Sequence, residues 1–172
     1  MKLLRCFFIM LLGFIAGINC LSAMAQNCNS KIPSTSPTQR FHLNQDGSIT
    51  DQQTGLQWSR CSLGQSWKDN TCQDKPQALP YAIAALAAEE GWRLPTVSEL
   101  SSLIELRCSG PAINNNIFPT TTTAIYWTAT RFVNLDGSFW QVHFLHGEIM
   151  PEKADSTAYV RWVRKIRRHA TS

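Results

Sequence analysis

Four groups of residues in this 172-residue chain have the types and spacing for chemistry. The first is the cysteines: Cys6, Cys20, Cys28, Cys61, Cys72 and Cys108. A thiol can attack, ligate a metal or form a disulfide. No C-x-x-C and no Cys-His spacing of a zinc site accompanies them. The second is the pair His143 and His146. On a strand and turn this spacing does not put both rings on one face, because strand side chains alternate with period two. The third is a set of carboxylates, Asp136, Glu148, Glu152 and Asp155, of the kind that work in pairs on glycosidic bonds. They fall in loop-like sequence, where carboxylates are ordinarily just solvated. The fourth is "HLNQDGSITDQQ", with Asn44, Asp46, Gly47 and Ile49 in the register of a calcium loop. His42 stands where the first aspartate belongs, and Gln53 where the bidentate glutamate belongs. Turn chemistry is the better reading. G-x-S-x-G, H-E-x-x-H and phosphate-loop patterns do not occur. The chain is therefore expected to be non-enzymatic, with no catalytic residues, no metal ligands and no cofactor.

Binding residues are easier to nominate. Of six tryptophans, Trp58, Trp92, Trp127, Trp140 and Trp162 sit in periodic or corner contexts, which assigns them to packing. Trp67 lies in the polar loop between Cys61 and Cys72, the best place for an exposed ring that stacks on a sugar. Arg161, Arg164, Lys165, Arg167 and Arg168 crowd the C-terminus and offer an anionic glycan something to bind. Arg161 is set apart from the other four because it lies inside a strand pattern, where its stem packs. Further contacts are expected from the long loops: Asn114, Asn115, Asn116, Asp136 and the segment Glu152–Thr157.

The elements that must position these residues follow from patterning. Residues 1–25 read as a signal peptide: Lys2 and Arg5, an apolar run from Cys6 to Ile18, and a small-x-small site at Ala23-Met24-Ala25. The run is short for a membrane span. Cleavage after Ala25 removes Cys6 and Cys20. Four cysteines then remain in an exported chain, which reads as disulfides with three possible pairings. Cys61 and Cys72 bracket a loop with Gly64, Asp69 and Asn70, so local closure is expected, with Cys28 tied to Cys108. The formal charge of +4 includes Lys2 and Arg5. What remains is too little for a nucleic-acid binder.

Residues 26–40 read as an extended Ser/Thr/Pro-rich segment. Two or three short strands follow around the Asp46-Gly47 and Thr54-Gly55 turns, with Ile49, Leu56 and Trp58 inward. "ALPYAIAALAAEE" predicts a helix from about Pro76 to Glu90, closed by Gly91. Thr96 and Glu99 form a capping box, and Val97, Leu100, Leu103 and Ile104 share one face of a second helix running to about Arg107. "GWRLPTVSEL" is then a corner between two helices, read as scaffold, with Trp92 and Leu94 packed beneath it. The C-terminal half alternates as an antiparallel meander ending in one strand, "AYVRWVRKI". The pattern is α+β: two helices on a short-stranded antiparallel sheet.

"DGSITDQQTGLQWSRCSLGQSW" with Cys72, "GWRLPTVSELSSLIE", "YWTAT" and "YVRWVR" together resemble the Lcl C-terminal domain family. The resemblance covers about residues 41–164. It implies a C-type-lectin-like fold related to formylglycine-generating enzymes, export and often surface display. The adhesin that names the family binds sulfated polysaccharides and has a collagen-like stalk. This chain lacks that stalk, since no Gly-X-Y repeat occurs. A Lcl C-terminal-like domain over 41–166 and a basic tail over 167–172 are expected. The resemblance and the residues together predict an exported lectin-like domain, periplasmic, outer-surface or secreted, that binds a polysaccharide and spans no membrane once cleaved. A structural role that binds a cell-surface protein is the alternative. A formylglycine-generating-type enzyme is a distant third.

Overall fold

The structure is a computed structural model that describes residues 26–89 and 91–166. The signal-peptide reading of residues 1–25 lies outside the described residues. The elements in chain order are β1 (Asn27–Cys28), a 3-10 turn (Thr38–Arg40), β2 (Phe41–Leu43), β3 (Ser48–Asp51), β4 (Leu56–Ser59), β5 (Ser66–Lys68), β6 (Thr71–Gln73), β7 (Leu79–Pro80), α1 (Tyr81–Leu86), α2 (Val97–Ser101), β8 (Cys108–Ser109), β9 (Ile125–Arg131), β10 (Ser138–His143), β11 (Glu148–Lys153), β12 (Thr157–Ala158) and β13 (Val163–Lys165). They form a four-stranded sheet, β13-β4-β3-β2, a three-stranded meander, β11-β10-β9, and three two-stranded ribbons. The class is α+β, with little helix.

Period-two alternation builds the first sheet. Ile49 of β3 faces Trp58 of β4, and Val163 of β13 faces Trp58 from the other side. Ile49, Leu56 and Trp58 are all buried. Along β9 the alternation splits the core in two. Tyr126 joins Trp58, Leu100, Val142 and Phe144, while Trp127 joins Ala84, Leu94, Phe139 and Trp162.

Both disulfides are present, Cys28–Cys108 and Cys61–Cys72. The first holds the N-terminal segment, which Glu105 also anchors. The buried Glu105 carboxylate accepts from the Ser34 hydroxyl and from the backbone N–H groups of Thr35 and Ser36. Burial alone would raise its pKa. The bonds from Ser34, Thr35 and Ser36 outweigh that and hold it below the usual range.

Three elements differ from their sequence patterns. The first helix covers only Tyr81–Leu86, because Leu79 and Pro80 pair with β12 instead of winding. Ala84 is its one buried residue, so alanine propensity had little tertiary packing to extend it. The left-handed Gly91 turns the chain five residues beyond the end of the helix rather than closing it. The second helix has the expected capping box on Thr96 but stops at Ser101. Ile104 then bridges Ile113, and Glu105 turns toward the N-terminal segment. The last strand is broken. Thr157–Ala158 pairs with β7, Tyr159 bridges Tyr126 in parallel, and only Val163–Lys165 joins β4. The expected loop Glu152–Thr157 also shrinks, since β11 runs through Pro151 to Lys153. No helix among the described residues is long and apolar enough to cross a membrane.

Candidate functional site

A cleft of about 500 Å³ opens where the end of β4, the Cys61–Cys72 loop, the Asp46-Gly47 turn, the Trp92 corner and β13 meet. Two indole-guanidinium stacks lie in it. Arg60 sits 3.7 Å from the centre of the Trp67 ring, and Arg164 sits 4.1 Å from that of Trp92. Trp162 adds a third indole to the lining.

Each stack is set by local structure. Trp67 faces Cys72 across the β5–β6 ribbon, and the Cys61–Cys72 bridge fastens that ribbon to the end of β4. Gly47 lets the hairpin turn approach from the side, since a Cβ there would lie 2.7 Å from the Trp67 ring. Arg60 Nε donates to the Ile117 carbonyl at 3.0 Å, and its Nη2 to that of Asn116 at 3.3 Å. Burial lowers the Arg60 pKa, but a guanidinium so placed keeps its charge. Among the described residues no carboxylate pairs with Arg60. Arg164 differs. Its Nε donates to Gln57 Oε1 at 2.7 Å, and its Nη2 lies 3.3 Å from Asp46 Oδ2. Asp46, Asp74 and Glu89 are exposed carboxylates around the cleft, whereas both arginines are half-buried.

Behind the cleft wall lies Arg161, fully buried. Its Nη1 donates to the carbonyls of Ser59 at 2.9 Å and Arg60 at 2.5 Å, and its Nη2 to Thr121 Oγ1 at 2.9 Å. Its guanidinium packs 4.8 Å from the Phe118 ring centre. Burial pushes its pKa down. This agrees with setting Arg161 apart from the other C-terminal cations as a packed residue. Arg161 is an internal clamp on the backbone that carries Arg60.

The Lcl C-terminal domain family matches residues 47–164. The chain belongs to this family. No curated protein and no solved structure matches it. The family match opens on Gly47, which supports Trp67, and closes on Arg164. It therefore spans both stacks of the Lcl C-terminal domain cleft.

The expected contact residues divide sharply. Trp67 and Arg164, far apart in sequence, come together in the cleft. Trp67 is no bare platform, however, because Arg60 covers one side of its ring. Lys165 is exposed in a separate hollow beside Thr54 and Leu56. Arg167 and Arg168 lie outside the described residues. Asn114 is scaffold: its Nδ2 donates to the Ser36 carbonyl at 2.8 Å, and its Oδ1 accepts from the Asn116 N–H at 3.1 Å. Asn115 is half-buried, and Asn116 reaches the site only through its carbonyl. Asp136 is exposed in the β9–β10 turn, away from the cleft lining.

The other motifs are held by neighbours. Asp46 Oδ1 accepts from the Ser48 N–H at 3.0 Å, and Asn44 donates to Ser48 and Thr50, so this stretch makes a hairpin turn. His143 Nδ1 lies 3.9 Å from Glu148 on the neighbouring strand. Among the described residues no three His, Cys, Asp or Glu side chains gather as a metal site would require.

Sequence reading missed Arg60, Trp92 and Trp162 as cleft residues. Arg60 carried one signal, its place directly before Cys61 at the mouth of the Trp67 loop. Trp92 and Trp162 follow apolar patterning and gave none.

Proposed function

We propose that this chain is an exported, non-catalytic binding domain that recognises a surface polysaccharide bearing an acidic group, in adhesion, with the cleft as its site. The supporting observation is Arg60, a half-buried cation stacked on Trp67 without a carboxylate partner among the described residues. A stacked guanidinium still presents N–H donors along its edge. Those donors match the paired oxygens of a carboxylate or sulfate. Ser59, Gln65 and Ser66 in the lining supply polar groups for sugar hydroxyls, and Trp92 and Trp162 supply apolar surface. A C-type-lectin-like fold belongs to the same proposal, resting on family membership and on the short antiparallel strands.

The test is a glycan array probed with the purified protein and with Arg60→Gln. Binding to acidic glycans is expected for the first, and at least about a tenfold loss for the variant, the scale of one charge-assisted hydrogen bond. The melting temperature should fall by the few degrees that losing the bonds to the Ile117 and Asn116 carbonyls costs, about 1–2 kcal/mol, with the variant still folded in the assay. Arg60→Gln binding like the wild type would overturn the assignment of the cleft.

A structural role that binds a cell-surface protein has one observation in its favour. Leu106 and Ile149, 64% and 46% exposed, flank a hollow that shares no lining residue with the cleft. A formylglycine-type thiol chemistry would first require reduction, since Cys28, Cys61, Cys72 and Cys108 are all bonded.

A further inference from the structure

The cleft distributes its charges unevenly. Two arginines stand half-buried on indoles, and three carboxylates, Asp46, Asp74 and Glu89, stand exposed around them. The two cations are not equivalent. Arg164 is engaged by Asp46 at 3.3 Å and held by Gln57, so an internal anion already occupies it. Asp46 cannot readily turn away, because Ser48 donates to the same carboxylate from its N–H at 3.0 Å and its hydroxyl at 2.5 Å. A tethered anion competes at the high effective concentration of an intramolecular group. One cation, Arg60, remains for a ligand.

From this we infer the class of polysaccharide: one whose acidic groups are isolated among neutral sugars, a single carboxylate per repeat, with Asp46 as the residue that enforces the spacing. The inference rests on the cleft being the glycan site. A densely charged polymer brings several anions into the cleft at once. Only one meets Arg60. The rest meet a rim that carries the exposed carboxylates Asp46, Asp74 and Glu89, which repel them. A sparsely charged chain places its one anion on Arg60 and its neutral neighbours along the serines and tryptophans. Discrimination then comes from the repulsive rim as much as from the attractive centre.

The probes share one sugar backbone and differ in charge density: dextran, sparsely carboxymethylated dextran, and dextran sulfate. The purified protein should bind the sparsely carboxymethylated polymer at least about tenfold more tightly than the other two, within the range that charged clefts produce. Asp46→Asn keeps an oxygen to accept from Ser48 but loses the charge. It should raise affinity for dextran sulfate several-fold and steepen the salt dependence, because Arg164 then meets the polymer. Dextran sulfate binding most tightly to the wild type, or unmoved by Asp46→Asn, would overturn the charge-spacing inference alone. Binding of none of the three, or binding that Arg60→Gln leaves unchanged, would overturn the cleft assignment with it.

Discussion

Single residues separate into those that hold the cleft and those that face it. Arg161 belongs to the first group, since it donates to two consecutive carbonyls of the wall and has no acidic partner among the described residues. Arg161→Met leaves those carbonyls without donors. It should cost about 2–4 kcal/mol in urea denaturation, the scale of lost charge-assisted hydrogen bonds at a buried site. It should also weaken glycan binding by displacing Arg60. Asp51 is buried and receives Arg40 Nε at 2.8 Å and Thr54 Oγ1 at 2.6 Å. Burial alone would raise its carboxyl, but these bonds hold it below the reference value of 3.8. Glu99 is lowered as well, first by its bonds from Arg93. A depressed folded pKa gives stability that is present above the unfolded value and lost as pH falls through the folded one. The urea midpoint should therefore be flat near neutrality and drop below about pH 4. Asp51→Asn should make that drop shallower. Equal acid sensitivity of variant and wild type would remove Asp51 from the explanation.

Among the elements, the corner "GWRLPTVSEL" is scaffold on one side and site on the other. Arg93 donates to both Glu99 oxygens, at 2.8 and 2.7 Å, and Glu99 also accepts from the Thr96 N–H at 2.7 Å. The corner is thus locked by its own capping box. Thr96→Ala should lower stability by about 1 kcal/mol by removing the cap. Arg93→Ala should leave glycan binding unchanged, because its guanidinium is spent on Glu99. Loss of binding without loss of stability would reassign Arg93 to the site. Trp92, its neighbour, lies instead in the cleft under Arg164. The Cys61–Cys72 ribbon is the second such element. Replacing both cysteines by serine should cost about 3 kcal/mol in the chain-entropy model. It should also abolish binding, since Trp67 faces Cys72 and loses its anchor.

At the scale of the whole molecule, binding should follow the cleft rather than the basic C-terminus. Neutralising Arg164 should change the salt dependence only modestly, because Asp46 already pairs with it, while neutralising Arg60 should flatten it. Titrations of affinity against salt for the two variants distinguish these outcomes. What was legible from the chain alone was local. Alternation placed Ile49, Leu56 and Trp58 inward, T-x-x-E placed the cap, and the bracketed loop suggested the Cys61–Cys72 bridge. Each depends on interactions over a few residues, so spacing carries them. The helix lengths, the broken last strand and the cleft were decided by tertiary structure. Pro80 pairs with Thr157, Val163 pairs with Trp58, and Arg161 reaches Ser59, each across most of the domain. By sequence Trp67 and Arg164 are separate features, one a loop ring and one a member of the basic C-terminal cluster. Their convergence, and the choice of Arg60 over Lys165 as the available cation, follow from β13 pairing with β4 at the edge of the first sheet. Non-local pairing of that kind leaves no periodic trace in a sequence, because its register is set by burial of facing side chains.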